Sequence, residues 1–440
     1  MVMVSQEDLR FAVPEPELTA QQIIQRAKDL QPWVRREAEA SAERGTYSPE
    51  LHDAFLDAGF YRILQPRRFG GYEFDVTTFF KVIIEIAQGD PGSGWCLCLG
   101  AGHAMQAAAH FPVDVQAELF GAKGYFIAPF SAAPRGLATR VEGGYRVSGT
   151  WAYSSGVPYS THFMGTALRT GAAGKKEKFL VVIPRHEITI LDDWGGGRTM
   201  GLQSSGSNSV LVEDVFVPER FTSTGGMLAG SGATAHAEDD GVAQGARIHN
   251  NPIYMGNILP FAAGELACSQ IGAARGALAE FENIVRTKKR VFEPQILMYL
   301  HPDTHKTYGQ ALRLVDCAET LVLNAADVYK DLCEEWVNGA VRPDEEEFTR
   351  CASQIMKANE LAWEAGELLF RSVGTTAARS GELLQRLFLD LEMQRTQWTP
   401  TSDRYMKLLG QQHFRVPPDP MAASEPELVE RQVTFRPSAV

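Results

Sequence analysis

Residues that could carry proton or hydrogen-bond chemistry occur in three short stretches of this sequence. His103 has an imidazole whose ordinary pKa, about 6.5, lets it accept a proton or hydrogen-bond a reacting heteroatom near neutral pH. Ser154 and Ser155 follow a β-rich run, and the stretch Ser204–Ser207 holds three more hydroxyl groups. These residue types predict a site that moves protons and holds hydrogen bonds.

Metal and nicotinamide chemistry lack their usual sequence patterns. Cys96 and Cys98 form the only close cysteine pair, with no second pair or histidine cluster to complete a zinc site. We expect all six cysteines to be free thiols, as in a cytoplasmic protein, and we expect no metal. No Gly-x-Gly-x-x-Gly motif follows a strand, so a Rossmann-type nicotinamide site is not expected.

Composition excludes further classes. The 440 residues are 44% hydrophobic and 22% charged, which is typical of globular chains long enough for two or three domains. The net charge is −12, from 42 basic and 54 acidic residues, which disfavours nucleic acid and anionic membranes as partners. The longest apolar stretch, Phe79–Gly102, contains three charged residues and does not predict a membrane span. We expect no secretory signal, because the first residues lack a basic segment followed by an apolar one.

The periodicity of apolar residues changes along the chain, and it predicts which secondary-structure elements position these residues. Residues 17–120 have helical composition, with Ser48 and Asp75 as helix N-caps and a break at Asp90–Gly94 before a helix over 95–110. Short β-rich runs between 125 and 220, beginning with Tyr125–Pro129, predict a barrel or sandwich. Residues 254–415 show heptad spacing of apolar and small residues, which predicts a packed helical bundle. We expect a helical domain over 1–122, a β domain over 123–222, a linker or lid over 223–252, and a helical bundle with a tail over 253–440.

This order of regions resembles the acyl-CoA dehydrogenase fold across about residues 15–415. Val141–Gly156 is similar to the family's hairpin that leads into a Trp-x-x-Ser-Gly flavin strand. Trp194, Gly201–Ser207 and Val212–Pro218 are similar to its second flavin-side turn and closing strand. The resemblance implies an α+β multidomain chain with an N-terminal helical domain, a central β-barrel and a C-terminal four-helix bundle.

Within that superfamily, the chain looks like the oxygenase components of two-component flavin monooxygenases. Gly94–His103, Phe111-Pro112 and Gln116–Gly121 are similar to a hydroxylase segment in which the histidine falls on His103. Leu384–Asp390 is similar to the hydroxylases' Leu-Gln-Arg-x-x-Arg-Asp pattern. The resemblance implies reduced flavin (FMN or FAD) supplied by a separate flavin reductase, O2 as co-substrate, and hydroxylation of an aromatic or heteroaromatic small molecule through a C4a-hydroperoxyflavin.

The resemblance also implies roles for particular residues. The hydroxyl of Ser155, with Ser154 as the fallback, accepts the flavin N5–H bond, and His103 acts on the substrate. The structural alternatives are a strand serine paired only with its neighbour and a helix histidine bonded to a backbone group. The implied flavin-binding residues are Phe130, Ser131, Trp151, Ser154, Ser155, Ser205, Ser207, Arg290, Phe292, Gly374 and Thr375, and the implied substrate-binding residues are Trp95, His103, Gln397 and Trp398.

One departure from the hydroxylase pattern keeps alternatives open. Gln397-Trp398 stands where the hydroxylases carry a second substrate-side histidine, so the substrate needs no second base or stacks on Trp398. An N- or S-oxygenase of the same fold is one alternative. An acyl-CoA dehydrogenase-like enzyme with Glu367 or Glu382 as its base is another. Flavin contacts shared between subunits, together with small-residue helix faces, predict a homotetramer.

Overall fold

The N-terminal helices form where side chains cap them. The computed structural model describes residues 9–171, 174–224, 241–292, 294–339 and 345–416. Ser48 and Asp75 accept the backbone N–H groups of Leu51 and Thr78 at 3.2 and 2.7 Å, which confirms both as N-caps. The helices are α1 (Ala20–Arg44), α2 (Pro49–Asp57), α3 (Val76–Gly89), α4 (Pro91–Ala101), α5 (Ala104–His110) and α6 (Val113–Gly121).

The predicted helix over 95–110 was wrong at its start and in its continuity. Helix α4 begins at Pro91, because the Asp90 carboxylate accepts the Ser93 N–H at 2.9 Å and proline suits a first helical position. The helix then ends at Ala101, and α5 begins only after Gly102 and His103. This interruption places His103 at the N-cap of α5.

Within the described ranges, seven strands form one sheet in the order β5-β6-β2-β1-β3-β4-β7. Every described pairing is antiparallel except that of β1 with β3. The predicted run Tyr125–Pro129 is not a strand, and β1 starts directly after it. The strands are β1 (Phe130–Val141), β2 (Gly144–Trp151), β3 (His162–Thr170), β4 (Lys176–Pro184), β5 (Thr189–Ile190), β6 (Val210–Pro218) and β7 (Thr222–Ser223).

The sheet encloses a hydrophobic core of its own. Side chains from β2, β3, β4 and β6 form one buried cluster, which requires a strongly curved sheet. Trp151 lies fully buried in this cluster, edge-on to Phe163, and its indole N–H donates to the Thr166 carbonyl at 2.9 Å. Among the described strands, β5 and β7 are the two edges of the sheet and do not pair with each other. The hydrogen bonding of the curved sheet is therefore open, whereas a β-barrel was expected.

The C-terminal half is helical, as predicted. Ala311, Ala318 and Ala325 are buried along one helix, so the heptad stripe lies in the core. A short helix, α7 (Gln244–His249), occupies part of the predicted linker, while residues 225–240 of that linker lie outside the described residues. No helix among the described ranges is both long and apolar enough to span a membrane. The long helices are α8 (Leu259–Thr287), α9 (Pro302–Val337), α10 (Glu345–Ser372) and α11 (Leu383–His413).

The packing of α8 against α3 predicts opposite effects for two glycine substitutions. A β-carbon at Gly272 would lie 2.8 Å from backbone atoms of Ala87 and Gln88, so Gly272→Ala should lower the free energy of unfolding by about 1–3 kcal/mol. Gly309, on the exposed side of α9, has open space around it, and Gly309→Ala should raise stability by about 0.5–1 kcal/mol. Chemical denaturation of both variants measures this, and equal effects would contradict the packing.

Candidate functional site

A chain of buried hydroxyl groups lies where α4 meets the sheet. Trp95, on α4, donates its indole N–H to the Ser155 hydroxyl at 3.0 Å. The Ser155 and Ser207 hydroxyls are 2.7 Å apart, and those of Ser207 and Ser205 are 2.6 Å apart. All four side chains are buried. Three segments distant in sequence therefore converge on one line of hydrogen bonds.

Backbone bonds lock the two serine segments together. Ser154 N–H donates to the Asn208 carbonyl at 3.1 Å, and Gly156 N–H lies 3.1 Å from the carbonyls of both Ser205 and Gly206. The turn after β2 and the loop before β6 thus form one unit. The positions of the serine hydroxyl groups follow from this pairing, and side-chain rotamers alone do not set them.

The hydroxyl chain has capacity left for a ligand. Each serine hydroxyl donates one hydrogen bond and accepts two. The Trp95 N–H uses one acceptor site of Ser155, and the two serine–serine bonds use two of the three hydroxyl hydrogens. When Ser155 donates to Ser207 and Ser207 donates to Ser205, Ser155 keeps one lone pair for an incoming N–H group.

Two buried carboxyl groups hold the loop that carries Ser205 and Ser207. Asp390, on α11, accepts the Leu202 N–H at 2.6 Å. Asp90 accepts the Ser204 hydroxyl as well as the N–H and hydroxyl of Ser93. The loop is therefore fixed at both Leu202 and Ser204, directly before the two serines of the chain.

Asp390 has an unusually high pKa. Burial raises it to about 7, and the nearby negative charge of Asp90 acts in the same direction. The Leu202 N–H and the Arg386 guanidinium, which lies 3.9 Å from Asp90, act in the opposite direction. Asp390 therefore changes protonation near neutral pH.

His103 is held by a backbone bond at the interruption between α4 and α5. Its Nδ1 lies 2.8 Å from the Ala128 carbonyl, so Nδ1 carries the proton of the neutral ring and Nε2 keeps its lone pair. Burial lowers its pKa to about 4, although the carbonyls of Ala128 and Leu99 partly offset this. His103 is neutral at pH 7 and a hydrogen-bond acceptor at Nε2. The backbone bond expected as a structural alternative is thus present, and it leaves one ring nitrogen for chemistry.

The remaining predicted flavin residues near the sheet divide into two groups. Phe130 begins β1 and packs edge-on against His103, with ring centroids 5.8 Å apart, and Ser131 follows it in the strand. Trp151 and Ser154 are completely buried, and the Ser154 hydroxyl donates to the Trp151 carbonyl at 3.2 Å. In this conformation neither Trp151 nor Ser154 offers surface to a ligand.

Four other predicted flavin residues lie together, away from the hydroxyl chain. Lys288 donates to the Val373 carbonyl at 2.6 Å and to the Thr376 hydroxyl at 3.2 Å, which joins the segment of Arg290 and Phe292 to the turn of Gly374 and Thr375. The Phe292 side chain is 79% exposed. Within one chain this pair of segments forms an outer surface with an uncovered aromatic ring.

The two predicted substrate residues on α11 point in different directions. Trp398 is buried in the helical core, and its indole N–H has no acceptor among the described residues. Gln397, the preceding residue of the helix, is exposed. Neither side chain has a described hydrogen bond to the hydroxyl chain.

Sequence reasoning missed residues around this site. Tyr153 has the left-handed φ of 60°, which is uncommon for a bulky residue, and its ring is 57% exposed and edge-on to Trp194. The Trp194 indole N–H is buried without an acceptor in the described part of the chain. Asp90 and Asp390 were also missed as anchors of the serine loop. Of these residues, only Tyr153 could have been noticed in the sequence, as an aromatic residue two positions after Trp151.

Other candidate sites do not overlap this one. A cavity of about 560 Å³ is lined by Arg67, Arg68 and His249 among others, and contains none of the serines. No cluster of three possible metal ligands occurs in the ranges that the structure describes. The spare acceptor of Ser155 suits the N5–H group of a reduced flavin, so the residues present fit this cofactor.

Three comparisons identify relatives. Residues 265–396 match the family model described as acyl-CoA dehydrogenase, C-terminal domain. The pigment production hydroxylase of Rhodococcus sp. (strain ATCC 21145) is 30% identical over 86% of this chain and 92% of its own. The flavin-dependent monooxygenase oxygenase subunit HsaA of Rhodococcus jostii is 29% identical over 90% and 98% of the two chains. The crystal structure of 3-HSA hydroxylase from Rhodococcus sp. RHA1 aligns with a TM-score of 0.78 at 25% identity, covering 90% of this chain and 97% of that one.

The family-model match and the structural alignment show the acyl-CoA dehydrogenase fold, as the sequence resemblance implied. The chain belongs to the flavin-dependent monooxygenases of this superfamily, among their oxygenase components. It is an oxidoreductase, and reduced flavin is its cofactor. The prediction of the family and of its chemistry is confirmed.

The raised pKa of Asp390 predicts a pH-dependent stability. The folded chain holds this proton more tightly than the unfolded chain, so its contribution is complete below about pH 4 and is lost as pH rises through about 7. Each pH unit in that range should cost up to about 1.4 kcal/mol. Asp390→Asn keeps an acceptor for Leu202 and should flatten this slope. Denaturation midpoints between pH 4.5 and 8 measure it, and parallel curves for the two proteins would contradict the assignment.

Proposed function

We propose that this chain hydroxylates an aromatic or heteroaromatic small molecule, using O2 and reduced flavin delivered by a separate flavin reductase. Relatives include proteins named p-hydroxyphenylacetate 3-hydroxylase, oxygenase component, and indole-3-acetate monooxygenase, whose substrates are aromatic. The aromatic ring of Phe130 beside the neutral imidazole of His103 suits a flat, electron-rich ring with a hydroxyl or N–H group. We further propose a cytoplasmic location, which the six free cysteines support.

The observation that carries this proposal is the hydroxyl chain at Ser155. Flavin supplies oxygen activation when bound, and the protein must prevent premature loss of hydrogen peroxide. When Ser155 donates to Ser207, its hydroxyl is oriented by that bond and by the Trp95 N–H, and its remaining lone pair has a fixed direction. A buried acceptor held in this way would stabilise the proton at flavin N5.

His103 acts on the substrate as a hydrogen-bond acceptor. With a pKa of about 4, the imidazole is a weak base. It therefore polarises a substrate O–H or N–H group through Nε2, and it takes the proton only as the substrate ring forms its bond to oxygen. The Ala128 carbonyl fixes the tautomer that this role requires. One histidine therefore suffices, which agrees with Gln397-Trp398 in place of a second.

Flavin binding is completed by a second subunit in this proposal. Arg290, Phe292, Gly374 and Thr375 lie together on an outer surface and would contact the flavin of a neighbouring subunit in a homotetramer. Val291 and Phe292 are 76% and 79% exposed, which is costly for large apolar side chains unless a partner covers them. Phe130, Ser131, Ser155, Ser205 and Ser207 would form the flavin site from within the chain. Trp95 closes it, and Trp151 and Ser154 support it from behind.

A direct assay tests the function. Purified chain is mixed with chemically reduced FMN or FAD, O2 labelled with ¹⁸O, and a panel of phenols and indoles. We expect one labelled oxygen atom in a ring product without any reductase present. Hydrogen peroxide as the sole product for every ring compound, or reduction of oxidised flavin by an acyl-CoA, would contradict the proposal.

Ser155→Ala should uncouple oxygen use from hydroxylation. Loss of the oriented hydroxyl removes the acceptor for the N5 proton, so hydrogen peroxide formed per O2 consumed should rise at least about tenfold, a loss of about 1.4 kcal/mol of stabilisation. Ser154→Ala is the matched control, because among the described residues that hydroxyl bonds only to the Trp151 carbonyl. Flavin affinity, measured by calorimetry, should stay within about threefold in both. Equal coupling in the two variants would remove Ser155 from the site.

His103→Ala should separate the two halves of the reaction. We expect product formation to fall about 100-fold, the usual contribution of a proton-transfer residue, while O2 consumption with reduced flavin continues and yields hydrogen peroxide. His186→Ala, whose side chain is 79% exposed, serves as the control and should change neither rate. Product formation at the wild-type rate in His103→Ala would assign this histidine a structural role.

A further inference from the structure

An unpaired carboxyl group lies in the helical core near His103. Glu265, on α8, is 3% exposed, and its side chain makes no hydrogen bond or ion pair among the described residues. Burial alone raises the pKa of Glu265 well above the ordinary range of a glutamate, which favours the neutral form of the acid. The hydroxylation chemistry described above does not use it.

The acid lies against the interruption between α4 and α5. Its Oε1 atom packs onto Gly102, where a β-carbon would collide with it, and the Phe261 ring closes the same space. The Cys98 thiol donates to the Glu265 backbone carbonyl at 3.8 Å, which joins α4 to α8 at this level. Because Gly102 directly precedes His103, the acid and the imidazole approach the same turn of the chain from two helices.

A second unpartnered polar group follows on α5. Gln106 is also 3% exposed, and its side-chain oxygen has no donor in the described part of the chain. Residues three apart share a helix face, so His103 and Gln106 face the same way. A buried polar group without a partner costs about 1–3 kcal/mol, and two of them beside one candidate catalytic residue indicate a site whose partner is a ligand.

We propose that Glu265 is a specificity-determining residue that hydrogen-bonds a neutral hydroxyl or carbonyl group on the aromatic substrate, at the end of the ring away from the oxidised position. This rests on the proposed function, since it requires an aromatic substrate beside His103. A neutral acid both donates and accepts, which suits an oxygen group of either kind. An ammonium group is disfavoured, because its ion pair with Glu265 would have to lose water on both sides within apolar surroundings.

Binding of three para-substituted phenols tests the proposal. The probes are 4-hydroxybenzyl alcohol, which offers a neutral oxygen, p-cresol, which offers a methyl group, and tyramine, which offers a cation. We expect the wild-type chain to bind the alcohol about tenfold more tightly than p-cresol or tyramine in calorimetry. Glu265→Leu should weaken binding of the alcohol at least tenfold and leave the affinity for p-cresol unchanged or higher. Glu265→Gln should keep the affinity for both probes within about fivefold of the wild type.

Two further measurements keep the result decisive. Gln270→Leu removes another unpartnered buried side chain of α8, away from Gly102, and should not alter the ratio of alcohol to p-cresol affinity. Glu265→Leu should raise Tm by about 1–3 °C, because it removes an unpaired polar group from the core. Any of four results would overturn the proposal. These are a fall in Tm, equal changes in affinity for the alcohol and p-cresol, a preference for tyramine, and no binding of any probe by the wild type at 10 mM.

The oxygenation assay distinguishes this failure from failure of the proposed function. If the wild type inserts oxygen into phenols but Glu265→Leu leaves the probe ratio unchanged, only the role of Glu265 is lost. If no ring product forms while the probe ratio depends on Glu265, the binding role stands and the hydroxylation proposal is lost.

Discussion

The loop between Gly201 and Ser207 depends on two carboxyl groups from far along the chain, and the proposed site depends on that loop. Asp390 lies 188 residues from the Leu202 N–H that it accepts, and Asp90 lies 114 residues from the Ser204 hydroxyl. These bonds join the last long helix and the start of α4 to the loop that leads into β6. The hydroxyl line from Trp95 to Ser205 forms only when all three are assembled, so the geometry of the site is a property of the tertiary structure.

Burial makes these bonds both strong and sensitive. In a low-dielectric interior a hydrogen bond to a carboxyl group is stronger than in water, but two acids close together cannot both ionise easily. Arg386, beside Asp90, offsets part of that repulsion. The arrangement holds a loop rigidly at the cost of keeping one proton inside the protein near neutral pH. A rigid hydroxyl line is what a site that must keep one proton in place requires.

Much of the fold followed from local signals in the sequence, whereas the joins between elements did not. Ser48 and Asp75 could be recognised as caps because a cap acts within three residues of itself. The role of Trp151 was harder: family resemblance suggested a flavin contact, yet Tyr145, Val147 and Trp151 all face the core of the sheet. The two-residue period of a strand already predicts that these three side chains point to the same face of the sheet. By contrast, nothing local to Asp390 indicates its partner at Leu202, since that contact exists only after the chain has folded.

The interruption of the helix at Gly102 separates two parts of the proposed site. On the sheet side, the serines and Trp95 belong to segments fixed by backbone pairing and buried acids, and they tolerate little change. On the other side, α8 places the Glu265 and Phe261 side chains against Gly102, and its Glu265 carbonyl accepts the Cys98 thiol. In the proposed site, exchanges of side chains on α8 would therefore alter the contacts at Gly102 and leave the serine segments unchanged.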